Sequence, residues 1–550
     1  MPSVSAHVSA ALSRHVSHVF GVMGNGNAHL LDALERSPGV SFTALRHEAG
    51  GVVAADAHYR AGGGLAAATA TYGAGFTNTL TPLAEAAQAR TPLVLVVGDA
   101  PTSGPRPWDV DQIALASAVG VRTYTVGRTD AAATTVIAIE HALVYSSPVV
   151  LAIPYDVAKA EAGPMTAMPE PRRALALGPT TPFATGTVAR IARALAGARR
   201  PLLLAGRGAW LAGAGTALGA IADATGAVTA TTALGRGVFP RPEFDLGVTG
   251  GFGAEGAMSA IRDADAVLVV GASLNQFTMR FGELFAPGTT VAQIDTAPAA
   301  THPHVGLYLR ADAALAAQAV ADELGAIGAP PSGWRESIDT AALGERDPGA
   351  DLAPDGRLDP RSAARRIGEL LPDDRVVVSD GGHFIGWANM YWPVSSPDRM
   401  MMVGTAYQSI GLGFPSVPGA ARARPDATIV LTTGDGGGLM AASDLESAVR
   451  VAGGHGLAVV WNDRAYGAEV HLYGAQGLAP APMLIPEVDF AALCRAVGGE
   501  GVVVRTLDDL EALVRWRERP AEERPFLLLD LRVSAAVRAP YQEEILRVNS

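Results

Sequence analysis

Short, uninterrupted apolar runs recur along the chain at 93–97, 149–153, 202–205, 266–270, 375–378, 427–431, 457–460 and 526–529. They are rich in Val, Leu and Ile and lack the polar alternation of a half-exposed strand. Continuous apolar strands belong to sheets covered on both faces. Ala-rich stretches of helical character lie between them, and this alternation predicts parallel α/β sheets. Two stretches break the rhythm. Residues 158–183 carry Pro164, Pro169, Pro171, Pro179 and Pro182, and residues 327–360 are rich in Pro, Gly and Asp. They divide the chain into expected α/β units at 1–160, 185–330 and 355–550.

No apolar run is long enough to span a bilayer. The opening Met1-Pro2-Ser3-Val4-Ser5-Ala6-His7 lacks the basic and apolar regions of a secretory signal, so a cytoplasmic enzyme is expected. A net charge of −12 argues against a nucleic-acid partner, which needs a concentrated basic face. Cys494 is the single cysteine, which excludes disulfides within the chain, Cys-based zinc sites and iron–sulfur clusters. Lys159, in a Pro-rich connection, is the single lysine. Schiff-base chemistry needs a buried lysine and a P-loop needs one after its glycines, so neither reading fits.

The strongest chemical signal is Gly434-Asp435-Gly436-Gly437-Gly438-Leu439-Met440 after the apolar run at 427–431, followed by Val459-Val460-Trp461-Asn462-Asp463. A Gly-rich turn opens backbone N–H groups toward a diphosphate, and Leu445, Ala448 and Val449 continue in helical spacing. A carboxylate and an amide oxygen at neighbouring strand ends suit Mg²⁺, a hard cation that keeps phosphate oxygens in its shell. Far upstream, Arg46-His47-Glu48-Ala49-Gly50-Gly51 follows a predicted strand at 40–45.

These segments resemble the signature of the thiamine-diphosphate (ThDP) enzymes of the acetohydroxyacid synthase and pyruvate decarboxylase superfamily. The resemblance implies three doubly wound α/β domains: pyrimidine-binding, central and diphosphate-binding. It implies Mg²⁺ ligands at Asp435, Asn462 and the carbonyl of Arg464. It places Glu48 on N1′ of the aminopyrimidine, where a shared carboxyl proton favours the imino tautomer and the thiazolium then takes up electrons as CO₂ leaves. Further cofactor contacts are implied at Gly73 and Asn78 of Thr71-Tyr72-Gly73-Ala74-Gly75-Phe76-Thr77-Asn78, and at His383 of Asp380-Gly381-Gly382-His383. Gln408 and Ile410 of Tyr407-Gln408-Ser409-Ile410 match the stretch that props the cofactor, and Gly434, Gly436 and Gly437 line the diphosphate turn.

The stretch Trp108-Asp109-Val110-Asp111-Gln112 lacks the His-His pair of pyruvate decarboxylases, while Gln112 resembles a glutamine that synthases place beside the thiazolium. Glu469 stands near the working glutamate of pyruvate decarboxylases, offset by one residue. The expected activity is therefore acetolactate-synthase-like: decarboxylation of a 2-oxo acid and transfer of the acyl unit to an acceptor carbonyl. The alternatives are a 2-oxo acid decarboxylase of the pyruvate or benzoylformate type, a 2-hydroxyacyl-CoA lyase, or a non-catalytic ThDP-binding subunit. Some synthase relatives hold FAD in the central domain. Here Gly251-Phe252-Gly253-Ala254-Glu255-Gly256 lacks both the expected strand and the acidic residue of a dinucleotide fingerprint, which argues against a nicotinamide site, and FAD is left open by the resemblance alone. The family's arrangement implies a homodimer or homotetramer with active sites at subunit interfaces, and no membrane partner.

Overall fold

The computed structural model describes residues 2–165 and 167–549. Its strands form three six-stranded sheets, and all strand pairings within them are parallel. The first contains β1 (His18–Gly21), β2 (Ser41–Ala44), β3 (Ala67–Ala70), β4 (Leu93–Asp99), β5 (Arg122–Thr125) and β6 (Pro148–Pro154), ordered β2-β1-β3-β4-β6-β5. The second contains β7 (Pro201–Ala205), β8 (Val228–Thr231), β9 (Asp245–Val248), β10 (Ala266–Val270), β11 (Thr290–Asp295) and β12 (Val305–Arg310), ordered β12-β11-β10-β7-β8-β9. The third contains β13 (Val376–Ser379), β14 (Met400–Met402), β15 (Ile429–Gly434), β16 (Gly456–Trp461), β17 (Glu500–Val504) and β18 (Leu527–Leu531), ordered β14-β13-β15-β16-β18-β17.

The central strands are buried along their whole length, as their unbroken apolar character requires. In each sheet the connections leave in opposite directions from two adjacent strands: β1 and β3, β7 and β10, β13 and β15. Loops part at such a switch point and leave a crevice at the carboxyl ends of the strands. Glu48 begins the helix that follows β2, and Asp435 begins the helix that follows β15, so both motifs lie at the carboxyl edges of their sheets.

The first and third units pack through helix Glu48–His58 against helix Gly413–Ala423. A Cβ at Gly419 would lie 1.9 Å from the Ala54 carbonyl oxygen, so only glycine permits this approach. The central unit docks on the third through Arg236, which donates to the Asn389 carbonyl at 3.0 Å and its Oδ1 at 2.7 Å. No helix among the described residues is long and apolar enough to cross a membrane.

Two details depart from the sequence reading. The Gly251–Gly256 run does follow a strand, β9, which is too short and too interrupted by Asp245 and Gly247 to stand out as an apolar run. It lies at the sheet edge rather than at the β7/β10 switch point, and Gly251 packs against the Phe277 ring and the Tyr541 Cβ. The Gly-rich diphosphate segment, read as a turn, is itself the short helix Asp435–Met440. Glycine is a poor helix former, yet packing requires it: added Cβ atoms would lie 2.7 Å from the Tyr466 ring at Gly436, 2.6 Å from Asp380 at Gly437 and 3.0 Å from Phe490 at Gly438.

Candidate active site

Around Glu48 the structure builds one half of a site. The Glu48 Oε2 accepts a hydrogen bond from Asn78 Nδ2 at 3.0 Å, and Oε1 lies beside Gly75, where a Cβ would be 3.3 Å away. Gly73, at φ +59°, turns the loop after β3 so that its N–H donates to Gln112 Oε1 at 2.9 Å. The buried Gln112 amide also donates to Gly98 O at 2.9 Å and to Asp99 Oδ1 at 3.2 Å. Gln112 thereby ties the loop after β3 to the end of β4.

The second half gathers on the third sheet. Asp435 is buried at the end of β15, with Oδ1 accepting from Gly436 N at 2.9 Å and Oδ2 from Arg464 N at 2.7 Å. Asn462, fully buried, donates through Nδ2 to Val488 O at 3.0 Å and Asp530 Oδ1 at 2.9 Å. Its Oδ1 is left buried with no hydrogen-bond partner. An unmatched buried acceptor is costly unless a donor or cation completes it. Arg464 adopts φ +64°, a left-handed conformation unusual outside glycine, and its carbonyl accepts from Ile485 N at 2.8 Å, leaving one lone pair. Burial raises the pKa of both Asp435 and Asp463, and for Asp463 the Asp435 charge adds to it. Two buried carboxyl groups and an orphaned amide oxygen therefore stand just past the paired ends of β15 and β16. The donor set is all oxygen, as Mg²⁺ prefers.

Ile410 lies with Cγ2 close to Gly381 and is 37% exposed, an apolar side chain standing open at the carboxyl edge. Gln408, exposed at φ +59°, turns the loop so that Ile410 faces that edge. Gly434 packs under the Phe384 ring. His383, expected as a cofactor contact, accepts through Nε2 from Ala539 N at 3.0 Å, and its ring lies 4.6 Å from that of His471. Burial, then the His471 and Arg538 charges, hold its imidazole down at about 3, so it is neutral. Glu469 is exposed at the end of a single helical turn, with Tyr541 within reach of its charge. Among the described residues no hydrogen bond joins the Glu48 cluster to the Asp435 cluster.

Comparison with known proteins decides the family. Residues 2–118 match the N-terminal TPP binding domain of thiamine pyrophosphate enzymes, 188–320 the central domain and 380–528 the C-terminal TPP binding domain. The chain belongs to the thiamine pyrophosphate enzymes. Among its relatives are the acetolactate synthase large subunit of Haemophilus influenzae, 25% identical with 90% of this chain and 88% of that protein covered, and a probable acetolactate synthase of Oryza sativa, 28% identical with 96% and 82% covered. The sulfoacetaldehyde acetyltransferase of Castellaniella defragrans is 26% identical, with 99% of this chain and 95% of that protein covered. This thiamine pyrophosphate enzyme is thus of carboligase or transferase type.

Two functional-looking carboxylates escaped the sequence reading. Asp380, fully buried, binds Gly381 N at 2.8 Å, Gly411 N at 3.1 Å, Leu412 N at 3.2 Å and Thr433 Oγ1 at 3.0 Å. It ties the loops after β13 and before Gly413 to the end of β15. Asp530, also fully buried, orients the Asn462 amide and accepts from Phe490 N at 3.0 Å and Arg532 Nη2 at 2.8 Å. A signal for Asp530 was present: it interrupts the apolar run Leu527-Leu528-Leu529-Asp530-Leu531. A charge in a buried strand needs partners to justify it.

Proposed function

We propose that the protein is a Mg²⁺- and ThDP-dependent enzyme that decarboxylates a 2-oxo acid and transfers its acyl unit to an acceptor carbonyl, in the manner of acetolactate synthases. The observation that carries this reading is the buried, partnerless Oδ1 of Asn462 beside Asp435. It fits a cation that binds a diphosphate, and acetolactate synthases related over most of both chains support the reaction class. Asp435, Asn462 and the Arg464 carbonyl would hold Mg²⁺. Among the described residues no cluster of three or more His, Cys, Asp and Glu suits a metal, so phosphate oxygens and water would complete the octahedron. The first N–H groups of helix Asp435–Met440, apart from that of Gly436, which donates to Asp435 Oδ1, would meet the diphosphate.

When bound, ThDP supplies the electron sink for decarboxylation and acyl transfer. The chain's residues supply the proton and the geometry. Glu48 would share its carboxyl proton with the aminopyrimidine, and Asn78 keeps Oε2 in place. Ile410 would support the cofactor when it is bound. Gln112 holds the Gly73 loop to the end of β4. Glu469 would serve as an acid/base or substrate contact. FAD is not part of this reading.

Among the described residues no hydrogen bond joins the Glu48 and Asp435 clusters, and large apolar side chains are exposed in the first and third units. Met23 and Trp108 are 64% and 59% exposed in the first, and Tyr407 and Met440 are 50% and 56% exposed in the third. A homodimer, or a tetramer built from it, would bring the halves together and cover these side chains. Sulfoacetaldehyde acetyltransferases among the relatives favour a second reading, acetyl transfer with sulfoacetaldehyde as substrate.

The test is incubation with ThDP, Mg²⁺ and a panel of 2-oxo acids and sulfoacetaldehyde, with products followed by NMR beside Glu48→Gln. Acetolactate or acetoin, lost in the variant, supports the synthase reading. Turnover of sulfoacetaldehyde alone moves the assignment to the acetyltransferase. Aldehyde as the sole product from pyruvate refutes both.

A further inference from the structure

The first, second and third units meet at a buried charge cluster remote from the Glu48 half-site. Arg60, on the helical extension after helix Glu48–His58, donates through Nε to Asp56 Oδ1 at 2.6 Å and through Nη2 to Asp56 Oδ2 at 2.8 Å. The same Nη2 donates to Glu85 Oε1 at 3.0 Å. Asp56, Arg60 and Glu85 are all buried, with Glu85 fully so. Burial works against the Arg60 charge, but the Asp56 and Glu85 carboxylates outweigh it and hold the guanidinium above its ordinary range.

Two remaining bonds of the cluster cross to the third unit. Arg60 Nη1 donates to the Met402 carbonyl at 2.9 Å, and the Tyr407 N–H donates to Glu85 Oε2 at 2.7 Å. Met402 and Tyr407 bracket the turn that leads into Gln408 and Ile410. The far end of that loop is held from its own unit, where Asp380 accepts from Gly411 N and Leu412 N. Arg207, the central unit's contribution, borders the cluster. Burial, then the Arg60 charge, lowers its guanidinium to about 10. The cluster thus contains two cationic and two anionic side chains.

We infer that Glu85, anchored by Arg60, is a positioning residue that sets the Tyr407–Ile410 loop and so shapes the support for the bent cofactor. This rests on the thiamine reading of Ile410. Glu85 touches neither cofactor nor substrate; it acts through the Tyr407 amide. Each chain's first unit therefore has two tasks: it offers Glu48 at one edge and fixes its own third unit's cofactor loop with Glu85. The helix Glu48–His58 with its extension joins them, carrying Glu48 at its start and Asp56 near its end.

Glu85→Gln is the informative change. A glutamine presents one acceptor and one donor where the carboxylate presents two acceptors, so it satisfies either Tyr407 N–H or Arg60 and opposes the other. Amide hydrogen exchange in the cofactor-free protein reads the clamp directly. The 403–411 peptide should exchange slowly for an exposed loop in the wild type and about tenfold faster in Glu85→Gln, as loss of a charge-assisted hydrogen bond implies. With Mg²⁺ present, the ThDP dissociation constant should rise by about tenfold, with KM for the 2-oxo acid little changed. Glu446→Gln is the control: Glu446 pairs with Arg46 across the same two units at 2.7 Å, away from this loop, and should alter neither readout.

Fast exchange of 403–411 in the wild type would overturn the inference, whatever the variant does. So would an unchanged loop in Glu85→Gln, or faster exchange spread evenly over the whole joint between the units. Failure of the wild type to bind ThDP would instead remove the functional reading, and the cofactor-free exchange would still decide the clamp.

Discussion

Asp380→Ala should destabilise the third unit more than any other single truncation at its carboxyl edge. The carboxylate accepts from three backbone N–H groups and the Thr433 hydroxyl with no exposure to water. Each N–H left unmatched costs about 1–3 kcal/mol, while removal of a charge that burial disfavours gives part of this back. Burial does raise the Asp380 pKa, against the opposing pull of the Gly381 and Leu412 N–H groups. A net loss of about 3 kcal/mol is expected for alanine. Asparagine keeps Oδ1 for the backbone donors and sheds the charge, so about 1 kcal/mol is expected for Asp380→Asn. In calorimetry the alanine variant should melt roughly 6–12 °C lower for a unit of this size, with asparagine between it and the wild type. The order matters as much as the size. An asparagine variant as unstable as alanine would mean that charge, not the acceptor count, holds the loops. An alanine variant within about 0.5 kcal/mol of wild type would refute the clamp altogether.

Asn462→Ala removes the orphaned acceptor, and titration of ThDP binding with Mg²⁺ should show the metal requirement raised by at least about tenfold; an unchanged requirement would dissociate Asn462 from the metal. His58 is held at about 4 against an ordinary 6.5, by burial and then by the His18 charge, with the Gly64 carbonyl pulling the other way. The unfolded chain therefore takes up this proton first as pH falls. Stability complete above pH 6.5 is lost between there and pH 4, about 3 kcal/mol in total, and His58→Asn should flatten that part of the melting-temperature profile. Gly419→Ala forces a methyl group to within 1.9 Å of the Ala54 carbonyl, so the packed helices must separate. A loss of about 2 kcal/mol or more should appear as a lower melting temperature, and an unperturbed melt would contradict this packing.

The motifs of the two half-sites stand out in the sequence because they depend on residue type and local spacing. Asp435 follows a strand, Asn462 ends the next one, and Glu48 follows another; each demand is met within a few residues of a readable apolar run. The three parallel sheets were legible for a related reason. Strands buried on both faces cannot carry polar alternation, so their unbroken apolar runs already declare the architecture.

What sequence alone left open are matters of contact between distant segments. The glycines of helix Asp435–Met440 look like a turn until Asp380, Tyr466 and Phe490 are seen to occupy the space where side chains would project. His383 reads as one polar group of a Gly-rich loop, and only the fold shows that Ala539, 156 residues away, engages its ring nitrogen. Glu85 reads as one acidic residue in an ordinary helix until Tyr407, 322 residues on, donates to it. Local pattern determines which chemistry the chain carries and which segments form strands, because propensity and burial act over neighbouring residues. Only the tertiary structure decides which buried acceptors are matched, which stay open and which loop a carboxylate holds, because a hydrogen bond depends on distances of about 3 Å that sequence separation does not encode.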